Sequence, residues 1–238
     1  EIMPSLVGSE MCIRDRLRQK VNEGLPEAIN KKHTGQKNRD KNRNGRGGNG
    51  MAEQEKGLNT KYKLAASIKE CMKTTPVDRI TVKDIVEGCG LTRQTFYRNF
   101  KDKYDLINWY FDKLVLQSFE QIGVGHTVGE SLTQKFEFIR SEKAFFTEAF
   151  RSDDYNSVKE HDFELILQFY ISLIARKTSR PLSEELEFLL EMYCRGSVYM
   201  TEKWVLGGMK DSPEQMSYKL VEAMPPKLEK VFSELGLL

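Results

Sequence analysis

The clearest pattern of apolar and polar positions in the chain lies between residues 81 and 103. Val82, Ile85 and Val86 recur at helical spacing and predict a short amphipathic helix. Phe96 and Phe100 stand four apart and, with Leu91, predict a second one. Thr81 is a good N-cap for the first helix, and Asp84 stands where a carboxylate closes a capping box; Thr92 caps the second. Gly88 and Gly90 supply the permissive backbone of a tight turn between them. Two short helices about a glycine-containing turn form a helix-turn-helix.

The same reading extends in both directions. Leu64, Ala65, Ile68, Cys71 and Met72 make the inner face of a helix capped at Asn59 or Thr60 and running to about residue 73. These three helices are predicted to bury Leu64, Ile68, Met72, Val82, Ile85, Val86, Leu91, Phe96 and Phe100 together. Asp102 caps a fourth helix, over about 103–122, whose first turn belongs to the three-helix unit and whose remainder belongs to the next domain. Further helices are predicted over 128–140, 142–150, 157–177 and 183–206. Another starts at Ser212-Pro213-Glu214, and a last one comes after Pro225-Pro226. The 157–177 segment is apolar nearly all round and is predicted to run through the middle of the fold. No stretch alternates as a strand. The expected fold class is all-α, with a three-helix helix-turn-helix domain over 58–105 and a helical bundle over 106–238.

Composition changes the picture mainly at the start of the chain. Residues 30–50 are nearly free of apolar side chains and rich in Lys, Arg, Asn and Gly, which is a disorder composition. Residues 1–57 are therefore expected to be a disordered or non-native leader. One reading is a basic arm on phosphates; the favoured one is upstream sequence read in frame, with the working protein starting at Met51. The net charge of +2 is unevenly placed. Residues 58–105 carry +4 and residues 106–238 carry −6, so the helix-turn-helix end suits a polyanion.

The second short helix carries the candidate chemistry. With Phe96 inward, Gln94, Arg98 and Lys101 lie on the opposite face, flanked by Arg93, Thr95 and Tyr97. Nearly all of them donate hydrogen bonds, and no acid interrupts them before Asp102. Major-groove reading needs this set: Arg on guanine, Gln on adenine, Thr or Tyr on phosphate or a thymine methyl. The competing reading is an ordinary helical hairpin with a polar outside.

Residues 58–114 resemble the amino-terminal domain of the TetR family of bacterial transcriptional regulators. The shared features are the Thr81 start, the GlyCysGlyLeuThr turn at 88–92, ThrPheTyrArgAsnPhe at 95–100 and LysAspLysTyrAspLeu at 101–106. The resemblance implies that the second helix, opened by Thr92, enters the major groove of a palindromic double-stranded DNA operator. Arg93, Gln94 and Thr95 would meet base edges. Tyr97, Arg98 and Lys103 would lie on phosphates, with Thr81 and Lys83 on the backbone. It further implies a homodimer through the last two long helices and control by a small-molecule effector. The carboxy-terminal pattern loosely resembles a subgroup that includes dihydroxyacetone-kinase operon activators.

Two further sites are expected in the second domain. Gly196 and Ser197 sit midway along a helix of large residues, with Met200 and Trp204 on following turns, where a second helix can approach closely; the alternative is a packing contact within one chain. Trp109, Phe145, Tyr170 and Tyr193 are candidates to line the effector pocket, against a reading as core aromatics. His126, His161, Asp153, Asp154 and Asp162 match no catalytic or metal motif and are read as solvated loop residues, so an enzyme is not expected. No cofactor, metal or membrane partner is expected. The four cysteines read as small hydrophobes in a cytoplasmic protein. A helical protein-binding adaptor that keeps the fold without operator binding is the rival function.

Overall fold

The computed structural model describes residues 48–119 and 121–238, with side chains for residues 57–113, 115, 118–119 and 121–238; the leader reading of residues 1–47, with Cys12, lies outside them. Among the described residues there are ten α-helices and one short 3-10 turn, with no strand beyond an isolated bridge between Ile122 and His126. The all-α expectation holds.

Helix α1 spans Gly48–Met72, a 3-10 turn comes next at Val77–Arg79, and the helix-turn-helix is α2 at Val82–Gly88 and α3 at Arg93–Asn99. The expected cap at Asn59 or Thr60 is corrected: α1 begins some three turns earlier and passes through the 57/58 boundary. The sequence AlaGluGlnGluLys at 52–56 consists of strong helix formers, which carry a helix backwards without any cap residue. Leu64, Ile68, Met72, Ile85, Val86, Phe96 and Phe100 are buried together as expected, while Val82 and Leu91 are half-buried. Val77 and Ile80, from the connecting turn, complete this small core.

Two glycines shape the head. Gly90 has φ +66°, the left-handed turn conformation that glycine adopts without strain. At Gly88 a Cβ would lie 2.5 Å from Ser67 Oγ on α1, so a side chain there would displace that hydroxyl. Ser67 Oγ uses that approach to donate to the Ile85 carbonyl at 2.6 Å.

Helix α4, Lys103–Phe119, leaves the head and enters the body. Asp102 caps it, accepting the Asp105 amide at 2.8 Å. The sequence placed its end near residue 122, but Ile122 belongs to the turn beyond it. The body contains α5 (Val128–Ser141), α6 (Lys143–Arg151), α7 (Val158–Thr178), α8 (Glu184–Leu206), α9 (Pro213–Glu222) and α10 (Pro226–Glu234). Here α5 packs along α9, α7 along α8, and α4 against α5 and α7. Buried Phe111, Phe119, Phe136, Phe146, Phe150 and Phe232 form the aromatic centre. Helix α7 does not run fully enclosed through the middle. It buries Phe163, Leu165, Ile166, Tyr170, Leu173 and Ile174, while Leu167, Phe169 and Ile171 stay half-covered on its other side.

Candidate nucleic-acid interface

Thr92 opens α3 by accepting the Thr95 amide at 3.1 Å, and the two hydroxyls lie 3.0 Å apart. Phe96 is fully buried one turn on, and Phe100 closes the other end beneath it. This pins the helix by its inner face and leaves Arg93, Gln94, Tyr97 and Arg98 exposed, with Lys101 just beyond. Arg93, Gln94, Arg98 and Lys101 make no side-chain hydrogen bond or ion pair within the described chain, so their donors are available. Tyr97 is 60% exposed, and its ring stands edge-on against Phe96 at 5.5 Å, which fixes its direction. Thr95 is half-buried between the two sets.

The other expected contacts lie outside α3, and each also has a partner within the chain. Lys103 Nζ donates to the carbonyls of Asp78 at 2.7 Å and Ile80 at 3.1 Å, leaving one of its three donors uncommitted. Burial holds its ammonium below the ordinary value, with Asp78, Asp154 and Asp102 opposing that shift. Thr81 is committed to the cap: its amide and hydroxyl both donate to Asp84 Oδ2, at 2.8 and 2.7 Å. Those hydrogen bonds hold the Asp84 carboxyl below its ordinary value. Lys83 is exposed and only loosely paired with Glu87, at 3.8 Å, a geometry that leaves it free for phosphate.

In the body, Gly196 is exposed and a Cβ there would meet open space, while Met200 is half in solvent. Trp204 is different. It is buried, its ring packs on Phe136 at 5.3 Å, and Nε1 donates to the Asp211 carbonyl, so it belongs to the chain's own core. The exposed stripe of α8 instead continues through Phe188, Met192 and Tyr199, each at least 60% exposed. Their spacing of four and then seven residues was the signal available in the sequence. Of the four pocket candidates, Tyr170 and Tyr193 meet at one chamber of about 10 Å³, with Phe119, Lys135, Ser197 and Thr201 among its walls. Trp109 packs on Tyr62 and Phe100 in the head, and Phe145 packs on Tyr110, both away from that chamber.

His161 and Asp162 are not solvated loop residues. Both lie in α7 and face different partners: His161 Nε2 meets Asp112 of α4 at 2.6 Å, and Asp162 is fully buried against Lys135 of α5 at 2.7 Å. Lys135 occupies an inner-face register between Leu132 and Ile139, the one sequence sign that it faces inward.

Profiles of known families account for both parts of the chain. The profile of bacterial regulatory proteins of the tetR family matches residues 65–109, and that of a transcriptional regulator C-terminal region matches residues 127–225. The chain belongs to the TetR family. As a TetR-family protein it shares its fold with a TetR transcriptional regulator from Streptococcus agalactiae, at TM-score 0.54 and 18% identity over 74% of this chain and 100% of that one. A second solved structure, the dihydroxyacetone kinase operon activator DhaS, aligns at TM-score 0.48 and 17% identity over 76% of this chain and 98% of that one. In sequence, the chain is 31% identical over 58 residues to the HTH-type dhaKLM operon transcriptional activator DhaS of Lactococcus lactis. That alignment spans 24% of this TetR-family chain and 31% of the relative. No helix among the described residues is long and apolar enough to cross a membrane.

Proposed function

We propose that this TetR-family chain is a sequence-specific, double-stranded DNA-binding regulator of transcription. It acts as a homodimer without catalytic activity and responds to a small-molecule effector. Residues 58–105 are its DNA-binding head and residues 106–238 its effector-binding and dimerisation body. The observation that carries this reading is the outward face of α3. Arg93, Gln94 and Arg98 stand in solvent with no partner in the described chain, above a fully buried Phe96. Donors at the first turn of a helix that protrudes from a basic head are placed to read base edges, while Tyr97, Lys83 and Lys101 can meet phosphates.

Dimerisation is supported by the apolar stripe of α8, because large apolar side chains aligned on one helix face mark an interaction surface. A two-fold dimer sets two reading helices about 34–36 Å apart, or a multiple of that, and requires a palindromic operator. The effector chamber is closed here, since about 10 Å³ has room for one water at most, so an effector must widen it.

Selection of bound duplexes from a random pool by the full chain tests the reading. A two-fold symmetric consensus is expected, and an unenriched pool would sink operator recognition. In parallel, sedimentation should find a dimer that Met192→Glu converts to monomer. A wild-type monomer at micromolar concentration would refute the homodimer.

A further inference from the structure

The chamber beside Tyr170 and Tyr193 has two chemically different sides. On one side Lys135 of α5 spends two of its three ammonium protons on Asp162, at 2.7 Å each. The third has no acceptor among the described residues. Tyr170 of α7 is buried, and its hydroxyl makes no hydrogen bond among the described residues. Burial pushes that phenol well above its ordinary value, with Tyr193, Cys194 and Asp162 adding to the shift. The hydroxyl therefore keeps its proton at neutral pH, and the part played by Asp162 agrees with its lying near the Lys135 ion pair. This side offers donors.

On the other side α8 presents Tyr193, Ser197 and Thr201, spaced four apart and so on one face. Each has already given its proton to a main-chain carbonyl. Tyr193 donates to Leu220 at 2.9 Å, while Ser197 donates to Tyr193 and Thr201 to Ser197, both at 2.8 Å. Their oxygens keep lone pairs only, so this side offers acceptors. Phe119, Ile166 and Leu220 supply apolar surface between the two.

We propose that this chamber takes a small, uncharged, polyhydroxylated compound, one oxygen of which accepts from Lys135 and Tyr170 while its hydroxyl protons go to the α8 oxygens. Its role as effector rests on the functional reading above, but its binding does not. Charge sets the first limit. Lys135 and Asp162 are already matched in a dry site, so an anion could gain Lys135 only by leaving Asp162 alone, and a cation would do the same to Lys135. Hydrogen bonding sets the second. A hydrocarbon would seal both donors from water without a partner, whereas a hydroxyl donates and accepts and so suits both sides. Size sets the third, because a chamber of about 10 Å³ has to widen least for a short carbon chain.

The test is ligand-observed NMR on the full chain without DNA, with four probes built on one three-carbon skeleton. They are glycerol, its anionic relative glycerate, the cation 2-amino-1,3-propanediol, and 1-propanol with a single hydroxyl. Saturation transfer to glycerol should be saturable, with an affinity about tenfold above that of each other probe. Tyr170→Phe keeps the ring and Thr201→Val keeps the shape, and each removes one hydroxyl from the chamber. Each should weaken glycerol about tenfold, whereas Tyr218→Phe, at an exposed position of α9, should not. If one chamber variant fails to fold, the other decides. Absence of saturable glycerol binding overturns the proposal, as does tighter binding of any other probe or full affinity in both chamber variants. The duplex selection is read separately: an unenriched pool beside selective glycerol binding sinks the regulator and leaves the ligand class standing. A symmetric consensus without glycerol binding does the reverse.

Discussion

Individual side chains on and beside α3 divide into free donors and committed ones, and that division makes separable predictions. Arg93 is exposed and unpartnered, so Arg93→Ala should cost about 1–3 kcal/mol of operator affinity and relax preference at one base position. Lys101→Ala should weaken all duplexes alike and flatten the dependence of log affinity on log salt by about 0.9. For Lys103 the opposite is expected, because its ammonium already serves the Asp78 and Ile80 carbonyls. Lys103→Ala should leave the salt slope unchanged and instead lower the melting temperature of the chain. Titration of the selected duplex at several salt concentrations reads all three, and identical slopes for Lys101→Ala and Lys103→Ala would refute the division. The α3 surface was legible because a helix pinned by Phe96 and Phe100 has only one way to face. The commitment of Lys103 was not, since its partners lie 23 and 25 residues away and are main-chain atoms without a side-chain signature.

Whole elements were read best where their ends carry their own chemistry. Thr81 with Asp84, Thr127 with Glu130, and Ser212 with Gln215 are all closed capping boxes, and each starts a helix within a residue of where the sequence put it. The start of α1 has no such signal, and propensity alone set it. The cap of α3 is the one most exposed to test. Loss of Thr92 Oγ1 leaves the Thr95 amide unpaired at the first turn of a seven-residue helix that cannot stand alone. Thr92→Ala should therefore cost about 1 kcal/mol. It should speed amide exchange in α3 while leaving α8 protected. Uniform protection in both helices, measured by hydrogen exchange, would show that packing of Phe96 alone maintains α3. Helix α7 illustrates the converse limit. Its all-round apolar sequence suggested full enclosure, but a half-covered side with Leu167 and Ile171 is equally satisfied by a surface awaiting a partner.

At the scale of the molecule, the body is organised around a buried charge pair whose only sign in the sequence is the inner-face register of Lys135. Lys135 and Asp162 are 27 residues apart and meet at 2.7 Å, with side chains 3% and 0% exposed. The ammonium also lies 5.8 Å over Phe111 and 5.7 Å over Phe119, so one cation joins α5, α7 and α4. Beside this pair Cys194 is fully buried, and burial, with the Asp162 charge adding, pushes its thiol up to about 12. Because that lies above the ordinary 9.0, the unfolded chain loses the proton first as pH rises. The associated stability is complete below pH 9.0 and is lost as pH climbs through about 12. Alkylation of Cys194 at neutral pH should accordingly proceed only as fast as the chain unfolds, and a burst of labelling in the native protein would contradict this.

The ion pair itself gives the sharper expectation, because a buried pair and a broken one have opposite energetics. Two charges removed from water gain little over apolar side chains of the same volume, whereas one charge left alone is strongly destabilising. Lys135→Met strands the fully buried Asp162 carboxylate without its partner and should lower the unfolding free energy by about 3–5 kcal/mol. Lys135→Met with Asp162→Leu should recover most of that loss, since neither site then holds an unpaired charge. Urea unfolding at one fixed protein concentration compares them, because the apparent stability of any self-associating chain depends on concentration. If the double variant is as weak as the single one, the pair stabilises through more than mutual neutralisation. The chamber beside Tyr170 and Tyr193 would then depend on the charges themselves for its shape.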